Sequence, residues 1–319
     1  MSDYRNSTAT SAASVFDKVF KPGELTFGLL TPLEGYPNSD TPTMRNHTAL
    51  ATLADDLGFA ALWLRDVPFR DPAFGDVGQI YDPMVYAGWL AAATRYIAIG
   101  TAGIVLPLRD PLAVAKQALS VDQLTGGRFI LGLSTGDRPS EYPAFGAEFE
   151  NRSERFRDAH TLITAAVNQS FPVHQSKFYG TLDGSLDLVP KAKQARLKTV
   201  AVGRCGQDIS WLADNMDGWI WHQSNIELLP TVIESWRAAC GPQVFKPYGY
   251  GTFFELDRDP DAPLRVRHGI YGGRKALIEL WKRQRDQGVS HVAINMRVSS
   301  RPVKETIEEL GESVLPLFT

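Results

Sequence analysis

Cysteine is scarce in this chain. Cys205 and Cys240 are the only two among 319 residues, too few for the disulfide framework of a secreted fold. The polar opening MSDYRNSTATSAAS lacks the apolar centre of a secretory signal. No run of about 18 apolar residues is present, so we expect no membrane-spanning helix. Together these absences predict a cytoplasmic protein.

Several binding signatures are missing as well. The net charge is −3 and no segment carries a basic stripe, which argues against a nucleic-acid partner. The Gly-Lys-Ser/Thr ending of a nucleotide-binding P-loop does not occur. The six histidines show neither H-x-H nor H-E-x-x-H spacing, and Asp66, Asp71 and Asp76 lie too far apart for a typical calcium loop. We therefore expect no metal site.

The chain does contain a regular alternation of short apolar runs with amphipathic segments. Between Ser120 and Gly146, for example, Gly126 and Gly127 end a helix and a buried strand follows. Strands are predicted in the same way over Leu25–Leu30, Ala60–Leu64, Tyr96–Leu106, Phe129–Leu133, Thr199–Val202, Trp219–Trp221, Tyr248–Leu256 and Val292–Met296.

Eight strand–helix units without an internal linker predict a single (β/α)8 TIM barrel over residues 23–319, preceded by an N-terminal tail over residues 1–22. The stretch Phe171–Ala195 predicts an extended insertion between strands four and five. An open doubly wound sheet would show G-x-G-x-x-G after the first strand, and none is present. Helix starts with a capping residue before proline are predicted at Thr41-Pro42, Asp82-Pro83 and Asp110-Pro111.

A barrel of this type carries its active site at the C-terminal ends of the strands. The turn Gly203-Arg204-Cys205-Gly206-Gln207 precedes a helix, where free N–H groups and an arginine favour an anion, although an ordinary turn also uses glycine. Asp66 and His222 follow strands two and six and are the candidate catalytic residues. Gly100 and Gly103 in the third strand indicate a bulge or a close backbone approach.

Two alternatives remain open at this point. Cys205 is either a thiolate stabilised at a helix start or simply a small residue in a turn. Asp66 and Glu255 are available as the acid pair of a glycosidase, but strand four ends in Ser134-Thr135 and contributes no acid.

The chain resembles the bacterial-luciferase-like flavin-dependent monooxygenases, the LLM class of oxidoreductases, over nearly its whole length. The resemblance rests on the stretches GRFILGLSTGDRPSEYPAFG, FRDPAFGDVGQIYDP, YIAIGTAGIVLPLRDPLAVAKQALSVDQLTGGRF and GGRKALIELWKRQRDQGVSHVAINMR. It implies a barrel that holds flavin mononucleotide (FMN) at the C-terminal strand ends. It also implies a third-strand bulge, often with a non-prolyl cis peptide, against which the flavin ring rests.

The resemblance also implies which residues of this chain contact the flavin. The bulge corresponds to Thr101, Ala102 and Gly103, and the phosphate site corresponds to the turn from Gly203 to Gln207. Strand four's end borders the flavin, and Tyr142 is within reach of it. The cofactor-binding residues expected on this basis are Thr101, Ala102, Gly103, Ser134, Thr135, Gly136, Arg138, Tyr142, Gly203, Arg204, Cys205, Gly206 and Gln207.

Two positions depart from the luciferases. Where luciferases have catalytic histidines after strand two, this chain reads Arg65-Asp66-Val67, so that base is not carried over. Where luciferases have a phosphate-binding arginine at the end of strand four, this chain has Thr135, with Arg138 and Arg204 as substitutes. Light emission is therefore not implied.

The resulting prediction is a two-component monooxygenase that uses reduced FMN and dioxygen on a small organic substrate. A separate flavin reductase is expected as a partner, because no nicotinamide-binding domain is visible. A homodimer is expected through the helices that follow strands two and three, one of which carries Met84, Tyr86, Trp89 and Leu90. A deazaflavin-dependent dehydrogenase on the same barrel and a non-catalytic flavin-binding protein are the alternatives.

Overall fold

Strands and helices alternate along the computed structural model, which describes residues 14–222 and 225–318. The strands are β1 Thr26–Leu30, β2 Ala61–Leu64, β3 Ala98–Thr101, β4 Ile104–Val105, β5 Phe129–Ser134, β6 Val173–Gln175, β7 Thr181–Asp183, β8 Thr199–Val202, β9 Gly218–His222, β10 Tyr248–Leu256, β11 Arg265–Val266, β12 Gly269–Gly272 and β13 His291–Asn295. The α-helices are α1 Val15–Val19, α2 His47–Asp56, α3 Pro83–Ala93, α4 Pro111–Thr125, α5 Arg152–Asn168, α6 Ile209–Asn215, α7 Leu229–Cys240, α8 Arg274–Gln287 and α9 Val303–Ser313.

Within these residues, eight parallel strands close into a barrel in the order β1-β2-β3-β5-β8-β9-β10-β13. The barrel closes because β13 pairs with both β10 and β1, with His291 opposite Thr26 in the second pairing. The predicted (β/α)8 TIM barrel is thus confirmed. So is the insertion between the fourth and fifth barrel strands, which contains the antiparallel hairpin β6–β7.

The barrel interior is filled by side chains and is not a pore. Trp63 lies at its centre and donates a hydrogen bond from Nε1 to Nε2 of His291 at 2.8 Å. A Cβ atom on Gly100 would lie 2.3 Å from the Trp63 ring. Gly100 is therefore required by the packing of Trp63. The close backbone approach predicted from the sequence is an approach to this side chain.

The third predicted strand, Tyr96–Leu106, is interrupted. Gly100 pairs with Ile130 and Ile104 pairs with Leu133, so three residues lie between these pairs on this strand and only two on β5. One extra residue of this kind defines a β-bulge. The predicted bulge is therefore present, and the peptide bond between Ala102 and Gly103 within it is cis.

Two of the three predicted helix starts are correct, and side-chain caps explain them. Asp82 accepts a hydrogen bond from the Met84 N–H at 2.9 Å, and Asp110 accepts one from the Ala113 N–H at 2.8 Å. The prediction of a helix start at Thr41-Pro42 is wrong, because α2 begins at His47. The Glu34 carboxylate accepts the N–H groups of residues 43 and 44 and so holds this segment as a loop.

Two further segments differ from a simple barrel. The predicted loop between strand seven and residue 273 contains β12, which pairs in parallel with β10 and was missed because it is short and glycine-rich. In the region predicted as a tail, α1 buries Phe16, Val19 and Phe20 at the barrel end that carries Ala61 and Ala98. Residues 1–13 lie outside the described part of the chain, and the division at residue 22 stays a prediction.

Candidate functional site

A cavity of about 550 Å³ opens at the C-terminal ends of the barrel strands. Its volume is in the range of roughly 300–1,000 Å³ that small-molecule and cofactor sites occupy. Apolar side chains form much of its wall, among them Leu30, Trp63, Val67, Val105, Val202, Ile220, Trp221 and Phe253. A wider groove between α2 and residues 299–304 carries none of the predicted site residues.

Most of the residues predicted from the sequence come together around this cavity. Those that line it are Asp66, Ala102, Gly103, Ser134, Thr135, Gly136, Arg138, Gly203, Arg204, Cys205 and His222. Four predicted residues do not line it: Thr101, Tyr142, Gly206 and Gln207.

The bulge at Ala102–Gly103 forms one wall of the cavity and is fixed from behind. The Ala102 N–H donates to the Leu64 carbonyl at 2.6 Å. The Thr101 hydroxyl donates to the Gly132 carbonyl at 2.7 Å and accepts from the Gly132 N–H at 2.9 Å. Thr101 thus supports the bulge from within the sheet.

Tyr142 supports the neighbouring strand end in a similar way. Its ring is buried against Phe149, and its hydroxyl donates to the Thr135 carbonyl. Burial raises the pKa of the Tyr142 phenol to about 12. The side chain therefore acts on the cavity through the backbone of Thr135.

The turn after β8 presents unbonded backbone N–H groups. Gly203, Cys205 and Gly206 have positive φ angles of 69°, 52° and 66°. No described residue accepts a hydrogen bond from the N–H of Arg204, Cys205 or Gly206. Successive N–H groups in such a conformation form a concave anion-binding nest.

The turn contributes one exposed, positively charged side chain, Arg204, and two buried side chains, Cys205 and Gln207. The Arg204 guanidinium is exposed and lies 5.6 Å from the Trp219 ring centroid and 5.8 Å from that of Trp221. Gln207 is buried, and its Oε1 accepts from Arg157 at 2.7 Å. Burial raises the pKa of the Cys205 thiol to about 12, which favours the small turn residue over a thiolate.

The helix that follows the turn contributes less than the sequence suggested. α6 has seven residues, and the Asp208 carboxylate accepts the Trp211 N–H at 2.7 Å. One helix-start donor is therefore occupied by an acidic cap. Any anion at this position would depend on the nest and Arg204.

Asp66 is held in an ion pair. Its two carboxylate oxygens accept from Arg109 at 2.8 and 2.6 Å, and one also accepts the Val105 N–H at 2.9 Å. The Asp66 side chain is 2% exposed. Because Val105 follows the bulge, this ion pair ties the end of β2 to the segment beside it, and a catalytic role for Asp66 stays a prediction.

Glu255 does not join Asp66 at the cavity. Its carboxylate accepts hydrogen bonds from the Ser300 N–H at 3.0 Å and from the Ser300 hydroxyl at 2.8 Å. Glu255 does not line the cavity. The paired acids of a glycosidase are therefore not assembled from these two residues.

His222 stands at the end of β9 and lines the cavity, with its ring 5.8 Å from that of Phe253 between centroids. Desolvation by the surrounding protein, aided by the Arg65 charge, lowers the pKa of the His222 imidazole below its usual value. The ring is therefore mainly neutral near pH 7 and is able to accept a proton.

Sequence reasoning did not single out Glu141, which lines the same cavity. The residue is 4% exposed, and its Oε1 has no hydrogen-bond partner among the described residues. Burial, helped by nearby acids, raises the pKa of the Glu141 carboxyl to about 7, against the lowering effect of Arg138. The sequence offered only its place in the charged loop directly after strand four, which Asp137 shares.

Arg138, three residues before Glu141, is 5% exposed. Its Nη2 donates to the Asp76 carbonyl at 2.7 Å, and its guanidinium lies over the Phe74 ring at 4.8 Å. Its Nη1 is buried and has no hydrogen-bond partner among the described residues. Arg138 thus ties the loop after β2 to the cavity and keeps one side of its guanidinium unbonded.

The remaining loop acids have partners. Asp76 accepts from Arg65 at 2.7 Å and from the Tyr36 hydroxyl at 2.9 Å, and Asp71 accepts from Ser140. Over residues 14–222 and 225–318, no three His, Cys, Asp or Glu side chains gather as metal ligands would. No helix in the same ranges has the length and apolar character needed to cross a membrane.

A parallel barrel with a bulged third strand and a ligand-sized cavity at its C-terminal face defines the structural class. A family model for luciferase-like monooxygenases matches residues 25–293, and the chain belongs to that family. The 4-hydroxyprotoasukamycin monooxygenase of Streptomyces nodosus subsp. asukaensis is 28% identical over 52% of this chain and 44% of its own length. The match thus spans less than half of that relative.

Three solved structures extend the comparison across the whole barrel. The monooxygenase RslO1 from Streptomyces bottropensis has a TM-score of 0.77 at 18% identity, covering 92% of this chain and 100% of its own. An F420-dependent secondary alcohol dehydrogenase has a TM-score of 0.76 at 17% identity, covering 93% and 99%. The oxygenating constituent of 3,6-diketocamphane monooxygenase from Pseudomonas putida, in complex with FMN, has a TM-score of 0.73 at 14% identity, covering 93% and 99%.

These comparisons support the predicted family more closely than the predicted cofactor. The resemblance to luciferase-like monooxygenases is confirmed, and the family supports the prediction of an enzyme. The structural neighbours share the fold and include both FMN and F420 proteins. A flavin-type cofactor is therefore supported, whereas the choice of flavin is not made by the fold.

Proposed function

We propose that this protein is a flavin-dependent monooxygenase that binds FMN in the cavity at the C-terminal strand ends. The observation that carries the proposal is the nest of N–H groups at Arg204, Cys205 and Gly206, for which no described residue is an acceptor. Arg204 and Cys205 line that cavity, and the Arg204 guanidinium is exposed. Backbone N–H groups and an arginine are the donors that a phosphate monoester prefers.

The residues present fit the two parts of FMN. The Ala102–Gly103 bulge and the apolar walls suit a planar, largely apolar ring, while the turn from Gly203 to Gly206 suits the phosphate. Reduced flavin, when bound, would supply the electrons that activate dioxygen. The chain's own contribution is to bind, to orient and to limit water.

Individual side chains then take defined roles. The ion pair between Asp66 and Arg109 orients the segment beside the bulge, so Asp66 is a positioning residue. His222, neutral near pH 7, is available to accept a proton from a substrate at the cavity mouth. Asp76 holds the loop after β2 in place through Arg65, so this loop restricts water at one side of the cavity.

The wider setting follows from the same proposal. Reduced FMN would come from a separate flavin reductase, and the substrate would be a small organic molecule. A cytoplasmic location and a homodimer belong to the proposal as well. In the predicted interface helix α3, Met84, Tyr86 and Leu90 are buried in the core, so Trp89 and its neighbour Val85 are the apolar side chains that remain for a partner.

A second candidate is a deazaflavin-dependent dehydrogenase. It is favoured by the likeness of this barrel to that of the F420-dependent alcohol dehydrogenase. A putative coenzyme F420-dependent oxidoreductase of Mycobacterium tuberculosis is also 31% identical over 44% of this chain and 36% of its own length. This candidate keeps the same cavity but transfers hydride without dioxygen.

Cofactor titration separates the two candidates. FMN and F420, each oxidised and reduced, are titrated while tryptophan fluorescence is followed, because Trp63 and Trp221 line the cavity. The proposal expects quenching by FMN with micromolar-scale affinity. Quenching by F420 alone would favour the dehydrogenase, and quenching by neither would remove both. Oxygen uptake with reduced FMN and candidate substrates then tests the oxygenase activity.

A further inference from the structure

Arg138 and Glu141 place two unbonded polar groups of opposite charge type on one cavity wall. Arg138 Nη1 and Glu141 Oε1 are both buried without a hydrogen-bond partner among the described residues. These two described side chains form no ion pair with each other, although both line the cavity. Buried polar groups are nearly always paired in folded proteins, so two unpartnered groups on residues that line one cavity indicate a ligand site.

The surroundings of Glu141 disfavour its charged form. Desolvation is the main cause, and negative charge from neighbouring loops adds to it. The charged and titratable groups that bear on this carboxyl or line the same cavity are Arg138, Asp66, Asp71, Asp137, Arg65, Arg204, Cys205 and His222. Of these, Asp66 is paired with Arg109 and Arg65 with Asp76, so Arg138 is the nearest cation left for an incoming group.

We propose that Arg138 and a protonated Glu141 bind a carboxylate of the substrate. The guanidinium offers an N–H and the neutral acid offers an O–H, so together they present two donors to the two oxygens of one carboxylate. Apolar walls at Trp63, Val105 and Phe253 suit an aromatic or aliphatic body attached to it. The inference rests on the proposed function, because the same cavity must bring this substrate to the flavin.

Binding of this kind is linked to a proton. An anion beside Glu141 favours the protonated acid, so complex formation takes up a proton at any pH where the free carboxyl is ionised. A neutral ligand of the same shape lacks this linkage. Proton uptake therefore distinguishes the proposed subsite from ordinary apolar binding in the cavity.

The test uses benzoate and hexanoate as probes, with benzamide as the neutral match for benzoate. Calorimetry in two buffers of different ionisation enthalpy measures proton uptake by the full-length wild-type protein, with and without FMN. We expect benzoate affinity to fall roughly tenfold per pH unit above about pH 7, while benzamide binding stays flat. The proposal is overturned if neither carboxylate binds, if benzamide binds as tightly as benzoate, or if benzoate binding takes up no proton.

Variants assign the effect to the two side chains. Glu141→Gln keeps a donor at that position and should bind benzoate with no pH dependence between pH 6 and 9, so that it exceeds wild type at the alkaline end. Arg138→Gln should weaken benzoate binding at least tenfold, and Arg138→Lys, which keeps the charge, should recover part of the loss. The wild-type proton uptake remains decisive if a substitution at buried Arg138 prevents folding.

A flavin phosphate is the other source of an anion at Arg138. If Arg138→Gln weakens FMN binding and leaves riboflavin binding unchanged, the phosphate lies at Arg138 and the substrate assignment is wrong. If FMN and riboflavin bind as in wild type while benzoate is lost, the proposed subsite is supported. Failure of wild type to bind FMN would overturn the proposed function, while proton-linked benzoate binding would still support the carboxylate subsite.

Discussion

Arg204 offers the most direct test of where FMN places its phosphate. In the structure its guanidinium is exposed and forms no ion pair among the described residues, while the adjoining N–H groups of the turn are unbonded. Charge-assisted hydrogen bonds contribute about 1.5–3 kcal/mol each. At about 1.4 kcal/mol per factor of ten, Arg204→Ala should weaken FMN binding roughly ten- to a hundredfold.

The same substitution should have little effect on folding. Arg204 contacts the rings of Trp219 and Trp221, and an exposed cation–π contact contributes about 0.5–1 kcal/mol. For a chain of this size that corresponds to a fall of less than about 4 °C in the melting temperature. Loss of FMN affinity without loss of stability would therefore identify a ligand contact.

Fluorescence titration of FMN and riboflavin supplies the assay. Riboflavin lacks the phosphate, so wild type and Arg204→Ala should bind it equally. Arg283→Ala, which removes an exposed arginine from α8, is the matched control and should bind both flavins as wild type does. Equal loss of FMN and riboflavin affinity in Arg204→Ala, or a large drop in apoprotein stability, would refute the reasoning and make Arg204 structural.

Three further outcomes follow from the described contacts. Asp66→Asn should lower the free energy of unfolding by about 1.5–3 kcal/mol in urea titration, since Arg109 loses its buried partner but keeps its ion pair with Asp82. An unchanged midpoint would show that the ion pair with Asp66 is dispensable. Burial lowers the pKa of His160 from 6.5 to about 4, so between these pH values only the unfolded state binds this proton. The free energy of unfolding should therefore rise by about 3 kcal/mol from pH 4 to 6.5. His160→Phe should reduce this rise. Val85 and Trp89 are 74% and 61% exposed on α3 and are the proposed dimer contact. Light scattering should therefore give a dimer mass for wild type and a monomer mass for Val85→Glu. A monomer mass for wild type would contradict this interface.

The fold was predictable because its signals are local. An apolar run such as Phe129–Leu133 and an Asp-Pro pair such as Asp110-Pro111 act through residues within one or two turns of chain. Their regular alternation then leaves few ways to bury every strand, and the barrel is one of them. The wrong helix start at Thr41-Pro42 shows the limit, because Glu34 captures the N–H groups that a helix would have used.

The location of the candidate site was also predictable, since parallel strands bring all their C-terminal ends to one face. The state of each side chain at that face was not. Asp66 reads in the sequence as a free acid after a strand, but Arg109, 43 residues later, occupies both of its oxygens. Gln207 reads as part of an anion-binding turn, but Arg157 holds it behind the wall.

Glu141 shows the opposite case. In the sequence it is one charge in a charged loop, and nothing within a few residues distinguishes it from Asp137. Only the packed barrel and the loops beside it remove solvent from its carboxyl and leave Oε1 unbonded at the cavity. The sequence by itself determined the barrel and the face that carries the candidate site, because both depend on local patterns. The tertiary structure decided which charges are paired and which remain open, because burial and pairing depend on residues far apart in the chain.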